Sequence, residues 1–264
     1  MQPSSLIFCK KLRPRLRSKD TSLTFASLAR PLTSIKTKRM DKAAFLKRLY
    51  ENRFNSSEQK SKLLLWQVLI QDFLQKHVPP KADILDIAGG YCEFINQVAA
   101  TSKTLIDLNP DSRLFAAANV NVLNIDILDH HQQTKVEDDC FDVIFVSNFF
   151  EHLEDQDQLF EVLSFCFQKL KPGGRLLVIQ PNFKYSYREY FDFIDHYLPI
   201  THQSLVEVLE ALEFRIDTLI PRFLPFSTKG RPTKAWMLRL YLKLPIVWPI
   251  FGSQLVVKAS KPRC

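Results

Sequence analysis

The chain reads as an α/β fold, a largely parallel sheet with helices on both faces, and three observations lead to it. Short apolar runs at about 83–87, 103–107, 120–126, 141–147 and 174–180 alternate with stretches of helical spacing, the pattern of strands joined by crossover helices. The first run leads into Ile84-Leu85-Asp86-Ile87-Ala88-Gly89-Gly90-Tyr91-Cys92-Glu93-Phe94, where a strand closes on an acid and a glycine pair and a helix-like segment follows at once. A lone acid, Asp107, lies 21 residues after Asp86 and ends the second run. At such a first βα turn the backbone approaches a ligand too closely for most side chains, and an acid ending the second strand can accept hydrogen bonds from ribose hydroxyls. Glycine occurs only at 89, 90, 173, 174, 230 and 252, so the pair here is not background.

From the amino terminus, residues 1–40 carry ten Lys/Arg and one acid, Asp20, a net +9. The remaining 224 carry 26 basic and 27 acidic residues, a net −1, and the two parts sum to +8. The basic balance belongs to this leader, and no nucleic-acid partner is expected from it. Rich in Ser, Thr, Lys and Arg and lacking any period, the leader reads as disordered. Its longest apolar run, Leu6-Ile7-Phe8-Cys9, falls short of the roughly 7–15 residues of a secretory signal. Two readings stand: an organellar transit peptide, or an over-called start with Met40 as the true initiator. The second is favoured, because Met40 is the only other methionine before 237 and acids begin at Asp41. The domain then spans 41–264, with the cytoplasm as its expected location and an organelle as the alternative. Five cysteines (9, 92, 140, 166, 264) are odd in number and form no C-x-x-C pair. They point to a reducing compartment and to no metal. Cys92 is read as a small residue in a glycine's place.

Residues 41–53 and 58–77 have helical spacing, with Leu63, Leu64, Trp66, Leu69, Ile70, Phe73 and Leu74 on the second period and Val78-Pro79-Pro80 ending it. Asn121 to Asp126 reads as a third strand ending in an acid, and His130 and His131 as solvated loop residues. The helix from about Asp155 to Leu170 directs Leu159, Val162, Leu163, Phe165 and Cys166 to the core. Pro181 to Tyr197 then mixes aromatic, polar and titratable side chains beyond the carboxyl end of a central strand, where open α/β sheets bind ligands. It is read as an acceptor-site lid, the alternative being a surface helix whose rings pack on the body. Ala235 to Phe251 is strongly apolar, but Arg239, Lys243 and two prolines interrupt it, so it cannot comfortably span a bilayer. A packed helix before a last strand at 253–259 is expected, and a helix making peripheral membrane contact is the alternative.

The turn does not suit a phosphate. A dinucleotide fingerprint laid from position 88 lacks its first and third glycines and places Glu93 at the third. No Gly-Lys-Ser/Thr follows, which excludes a P-loop. The chain resembles the class I S-adenosylmethionine-dependent methyltransferases, whose first motif runs roughly acid-x-Gly-x-Gly-x-Gly. Here it is Asp86-Ile87-Ala88-Gly89-Gly90-Tyr91-Cys92, with only the central glycine matching. Further likeness lies in Asn121–Asp126, in Phe141-Asp142-Val143-Ile144-Phe145-Val146-Ser147-Asn148-Phe149-Phe150-Glu151-His152-Leu153, in Leu170-Lys171-Pro172-Gly173-Gly174-Arg175-Leu176-Leu177-Val178-Ile179, and in the late helix and strand over 201–221. In all it covers about 80–260.

The resemblance implies a Rossmann-like, doubly wound, mostly parallel seven-stranded sheet with an antiparallel last strand, and S-adenosylmethionine as cofactor. It implies that Ala88, Gly89 and Gly90 pass beneath the methionine moiety with Asp86 bracing them. Asp107 would grip the ribose, Leu108 beside it would also touch the cofactor, Asp126 and Ile127 would border the adenine, and Asn148 would lie at the methionine end. His152 and His196 are the candidate catalytic residues, since either imidazole could take a hydroxyl proton near neutrality. Tyr185, Tyr187, Arg188 and Asp192 are the candidate substrate-binding residues. The expected acceptor is a small molecule, first a saccharide or lipid-linked glycan hydroxyl as in similar bacterial methyltransferases, then a quinone or other small aromatic. A non-catalytic, methyltransferase-like partner subunit is the reading from a different class.

Removing residues 1–39 should leave the melting temperature and methyl-donor binding unchanged, because charge and pattern break at Met40. A truncated protein that melts several degrees lower in a thermal-shift assay would place the leader on the domain.

Overall fold

The computed structural model describes residues 56–226 and 234–263. The basic leader, the helix expected over 41–53, Cys9 and Cys264 lie outside the described residues. α1 (Ser56–Asp72) and a 3-10 turn precede β1 (Asp83–Ile87), α2 (Glu93–Gln97), β2 (Ser102–Ile106), α3 (Ser112–Phe115), β3 (Asn121–Leu123) and α4 (His130–Gln133). β4 (Phe141–Ser147), α5 (Gln156–Lys169), β5 (Leu170–Pro181), α6 (Phe183–Ser186) and α7 (His202–Ala211) follow. β6 (Arg215–Ile220), α8 (Ala235–Lys243), α9 (Trp248–Phe251) and β7 (Gln254–Ser260) complete the chain. The seven strands lie in the order β3-β2-β1-β4-β5-β7-β6, and β7 runs antiparallel to both neighbours. The doubly wound sheet with an antiparallel last strand is therefore present.

Strand side chains alternate between two cores. Leu85, Ile87, Ile144, Val146, Val178, Leu255 and Val257 enter one, with Val162, Leu163 and Phe165 of α5 and Leu205 and Leu209 of α7. Ile84, Val143, Phe145, Leu177, Ile179 and Val256 enter the other, with Val68 and Ile70 of α1, Phe94 and Ile95 of α2, and Leu242 of α8. Each fully buried side chain of this size contributes about 1.5–3 kcal/mol relative to exposure. A slip of one residue would send every one of them to the wrong face, so burial on both sides fixes the register. That register pairs Ile87 with Ile106 and with Val146, and the ends of β1, β2 and β4 come level at one edge.

Several boundaries differ from the sequence reading for identifiable reasons. β3 ends at Leu123, and Asp126 lies beyond it. The Asn124 side chain turns back to donate to the carbonyls of Asp107 and Asn109, taking the backbone out of the ladder. β5 starts at Leu170 because Leu170 still pairs with Phe141 before the register shifts and Arg175 meets Val143. The Pro172-Gly173-Gly174 stretch is absorbed in that bulge. His130 and His131 sit on a one-turn helix capped by Asp129, both exposed. Pro245 and Pro249 break the apolar tail into α8, a 3-10 turn and α9. One side of this tail is packed, with Leu242 and Trp248 buried, Tyr241 Oη donating to the Phe223 carbonyl and Trp248 Nε1 to the Tyr241 carbonyl at 2.9 Å. Among the described residues no helix is long and apolar enough to cross a membrane.

Candidate active site

The turn after β1 keeps a particular backbone in spite of its side chains. Ala88, Gly90 and Cys92 have φ of 56°, 56° and 62°, so the left-handed region recurs at alternate positions, two of them not glycine. L-residues there cost roughly 1–2 kcal/mol each. Neighbouring bonds hold the turn: the Ala88 N–H donates to the Ile106 carbonyl at 2.8 Å and the Cys92 N–H to the Gly89 carbonyl at 2.9 Å. Gly89 is required for a different reason, since a Cβ would lie 2.6 Å from Leu105 Cδ1 and 2.7 Å from Asp86 Oδ2. A Cβ on Gly90 would meet nothing within 4 Å, so the turn is open on that side. Cys92 is fully buried, and burial together with the nearby carboxylates pushes its thiol up to about 12. It is a packed small residue, as its position in the sequence suggested.

Three carboxyl groups crowd this turn. Asp86 is 2% exposed, and its Oδ2 has no hydrogen-bond partner. Burial first, then the charges of Asp107 and Glu93, hold its carboxyl well above the ordinary range. Asp107, at the end of β2, is raised by burial, against the lowering effect of backbone bonds from Asn109 and Gly90. Those bonds run from the Gly90 N–H to Oδ2 at 3.0 Å and from the Asn109 N–H to Oδ1 at 2.8 Å. A carboxylate offers about four lone-pair positions, so two remain for ligand hydroxyls. Leu108 beside it is 69% exposed, a large apolar side chain open at the rim. Glu93 pairs with Lys62 of α1 at 2.9 Å, and Lys62 also lies 5.7 Å from the Tyr91 ring centre.

The remaining expected cofactor residues divide. Asn148 follows β4 with φ of 48°; its N–H donates to the Ile179 carbonyl and its amide to Ser147 Oγ, which fixes it at the same edge of the sheet. Asp126 is half-buried, with Oδ1 accepting from the Leu128 N–H at 2.9 Å. The Ile127 side chain is packed into the core, which leaves mainly backbone to face a ligand. The turn, its orphaned carboxyl oxygen and its acidic surroundings fit a cationic nucleoside, and they do not fit a phosphate.

Beyond β4 the chain builds a second polar group of residues. His152 Nδ1 lies 2.7 Å from the Asp195 carbonyl oxygen and 3.4 Å from Asp195 Oδ2. A carbonyl can only accept, so Nδ1 carries the hydrogen, and in the neutral tautomer the lone pair is on Nε2. The His196 ring centre is 5.2 Å away, and that ring stacks on Phe193 and meets Tyr190 edge-on. The sequence reading passed over Glu151, which is buried; its Oε2 accepts from Gln180 Nε2 at 2.9 Å, and burial raises its carboxyl. The backbone knits the two segments together, with the Tyr197 N–H donating to the Glu151 carbonyl at 2.8 Å.

The aromatic segment is thus not a free lid. Tyr190, Asp195 and His196 face inward and the Tyr190 hydroxyl donates to the Leu198 carbonyl. Tyr187, Arg188 and Asp192 face solvent, with Arg188 Nε donating to the Tyr187 hydroxyl at 3.1 Å. Tyr185 is apart from these, stacked on His202 and beneath Arg222. Periodicity could not have revealed this division, because α6 is a single turn and irregular backbone carries most of the segment.

A family profile described as a methyltransferase domain matches residues 59–218. No curated protein sequence matches the chain. Among solved structures, a SAM-dependent methyltransferase from Archaeoglobus fulgidus is similar at 22% identity and a TM-score of 0.55, covering 81% of this chain and 99% of that one. A possible histamine N-methyltransferase from Thermotoga maritima is similar at 13% identity and a TM-score of 0.57, covering 81% and 98%. Geranyl diphosphate C-methyltransferase from Streptomyces coelicolor, in complex with Mg2+, geranyl diphosphate and S-adenosylhomocysteine, is similar at 14% identity and a TM-score of 0.51, covering 72% and 78%.

Two variants test this geometry. Asp107→Ala should weaken binding of S-adenosylmethionine by about 1.5–3 kcal/mol. It should also lower the melting temperature, since the Gly90 and Asn109 N–H groups lose their acceptor; unchanged donor affinity by calorimetry would remove this acid from the site. Asp86 is raised in the folded state, so the stability it contributes is present at low pH and lost as pH rises through its folded value. Asp86→Asn should therefore raise the melting temperature of the ligand-free protein near neutral pH. A cationic ligand favours the ionised carboxyl, so wild-type affinity for S-adenosylmethionine should increase with pH. Asp86→Asn should flatten that increase, and a pH profile identical to wild type would contradict the assignment.

Proposed function

Because the chain belongs to the methyltransferase-domain family, we propose that it binds S-adenosylmethionine over the 88–92 turn and methylates a hydroxyl of a saccharide or lipid-linked glycan. The observation that carries the donor is the crowding of Asp86, Glu93 and Asp107 around the turn, with Lys62 as the basic partner of Glu93. Such a surface attracts a sulfonium and an ammonium and repels a phosphate. The donor supplies, when bound, a methyl carbon already activated by its sulfonium. Asp107 would grip the ribose hydroxyls, Asp86 and Asn148 would border the methionine end, and Leu108 and Asp126 would flank the base. The left-handed φ at Ala88 and Cys92 supports a working site over a non-catalytic subunit, since the backbone of the glycine motif persists without its glycines.

On the acceptor side the chain's task is mainly placement, and holding two reactants in near-attack geometry can supply about 7–11 kcal/mol of the barrier. His152 and His196 stand beyond the ends of β4 and β5, and one nitrogen of each ring lies in the cluster with a Glu151 oxygen, where the acceptor oxygen would be received. The outward Tyr187, Arg188 and Asp192 offer a ring face and polar groups suited to a sugar. The lipid-linked form draws support from the stretch 234–251, where Trp236, Leu240, Ile246, Ile250 and Phe251 are exposed along with Lys234, Arg239 and Lys243. Trp and Leu with flanking basic residues suit peripheral contact with a membrane interface.

An acceptor screen with labelled methyl donor, read by product mass, should return a glycan or glycolipid carrying one added methyl group. Replacing Tyr187 and Arg188 together by Ala should abolish transfer to that acceptor while S-adenosylhomocysteine affinity stays within about 0.5 kcal/mol. Normal turnover in the double variant would exclude these residues from acceptor binding. Loss of donor affinity instead would mean that the segment closes over the cofactor.

A further inference from the structure

The group beyond β4 has the composition and spacing of a metal centre. One oxygen of Glu151, one nitrogen of His152 and one nitrogen of His196 all lie within 4.8 Å of one another. Around a tetrahedral cation with bonds of about 2.0–2.1 Å, ligand atoms stand roughly 3.4 Å apart, so a contraction of up to about 1.4 Å would close the site. We infer that Glu151, His152 and His196 bind a divalent transition-type cation of the zinc class, leaving an open coordination position for an oxygen ligand.

Four further features agree with this. The first is the donor set: two imidazoles and one carboxylate suit zinc and its first-row neighbours, whereas magnesium and calcium prefer all-oxygen sites. The second is the support behind the ligands. His152 gives its Nδ1 hydrogen to Asp195, the arrangement that orients a metal-bound imidazole and directs Nε2 to the ion. Gln180 holds the Glu151 carboxylate in the same way, at 2.9 Å. The third is charge. Glu151 is buried, and among the described residues no lysine or arginine forms an ion pair with it, so a cation would supply the counter-charge. The fourth is rigidity, because Phe193 and Tyr190 clamp the His196 ring against rotation. His152 is only partly buried, which leaves an entry from solvent.

The metal site stands on its own residues, whereas its task at the acceptor rests on the methyl-transfer reading. With the cation bound, the lone pair on His152 Nε2 goes to the metal, and the acceptor oxygen meets a Lewis acid in place of a bare imidazole. The test uses the full-length chain, stripped with chelator and titrated with Co2+ as a spectroscopic probe, then with Zn2+ in competition. One equivalent of Co2+ should give visible d–d bands that Zn2+ removes. His152→Gln and Glu151→Gln should each weaken Co2+ binding by at least about 10-fold, while S-adenosylhomocysteine binding, measured separately, shows that each variant is folded and its donor site intact. Absence of the bands on the wild-type chain overturns the inference, and so do bands that persist unchanged in His152→Gln, which would put the ion elsewhere. Failure of donor binding in the wild-type chain would overturn the methyl-transfer reading and leave the metal site standing.

Discussion

The level ends of β1, β2 and β4 impose the constraint from which the rest of the site follows. Ile87 is in register with Ile106 and Val146, so the chain leaving β1 must reverse directly over its neighbours. Leu105 and the Asp86 carboxyl fill the space beneath position 89, and backbone alone can pass there. Left-handed residues at 88, 90 and 92 make the reversal, and the Asp107 carboxylate receives the Gly90 N–H at its crest. Asp107 is thus a strut for the turn as well as a candidate ligand, and the two duties share one carboxylate. The same packing confines Asp86, and the burial that raises its carboxyl follows directly from how closely the strands meet.

The edge of the sheet is divided electrically. On the β1–β2 side, three carboxyl groups crowd the turn, and Lys62 of α1, a helix that precedes the first strand, pairs with Glu93. On the β4–β5 side, two imidazoles meet a buried glutamate held by Gln180. In the proposed reaction the first environment would receive the permanent positive charge of the donor, and the second would offer lone pairs to the acceptor side. Transfer to a hydroxyl would use this pairing, with an electron-poor carbon on one side and a nucleophile whose proton must be removed on the other.

Much of this was legible in the chain itself. Apolar runs located the strands because both faces are buried, and β4 matches its expected span because nothing interrupts Phe141 to Ser147. Asp86, Asp107 and Asn148 could be placed because strand ends are marked by the change from apolar to polar residues. The failures involve side chains that replace backbone bonds or meet across long separations. Asn124 cut β3 short with hydrogen bonds that no periodicity reports. Glu151 was hidden in a Glu-His-Leu stretch, since Gln180 comes from the end of the next strand and His196 from beyond it. Tyr190 and His196 were expected in a lid, yet their rings are enclosed, a choice made by packing between irregular segments that no local pattern encodes.

The turn at 88–92 bears on how distant relatives are recognised. Position 90 is constrained by dihedral angle with open space around it, whereas position 89 is constrained by volume with an ordinary angle. Alanine and cysteine occupy the flanking left-handed positions, so the shape of this loop survives the loss of letters by which it is usually identified. Drift in such a loop is limited by what Leu105 and Asp86 leave empty. A glycine count at the motif positions 88, 90 and 92 finds only Gly90, while the φ values there all lie in the region that glycine favours.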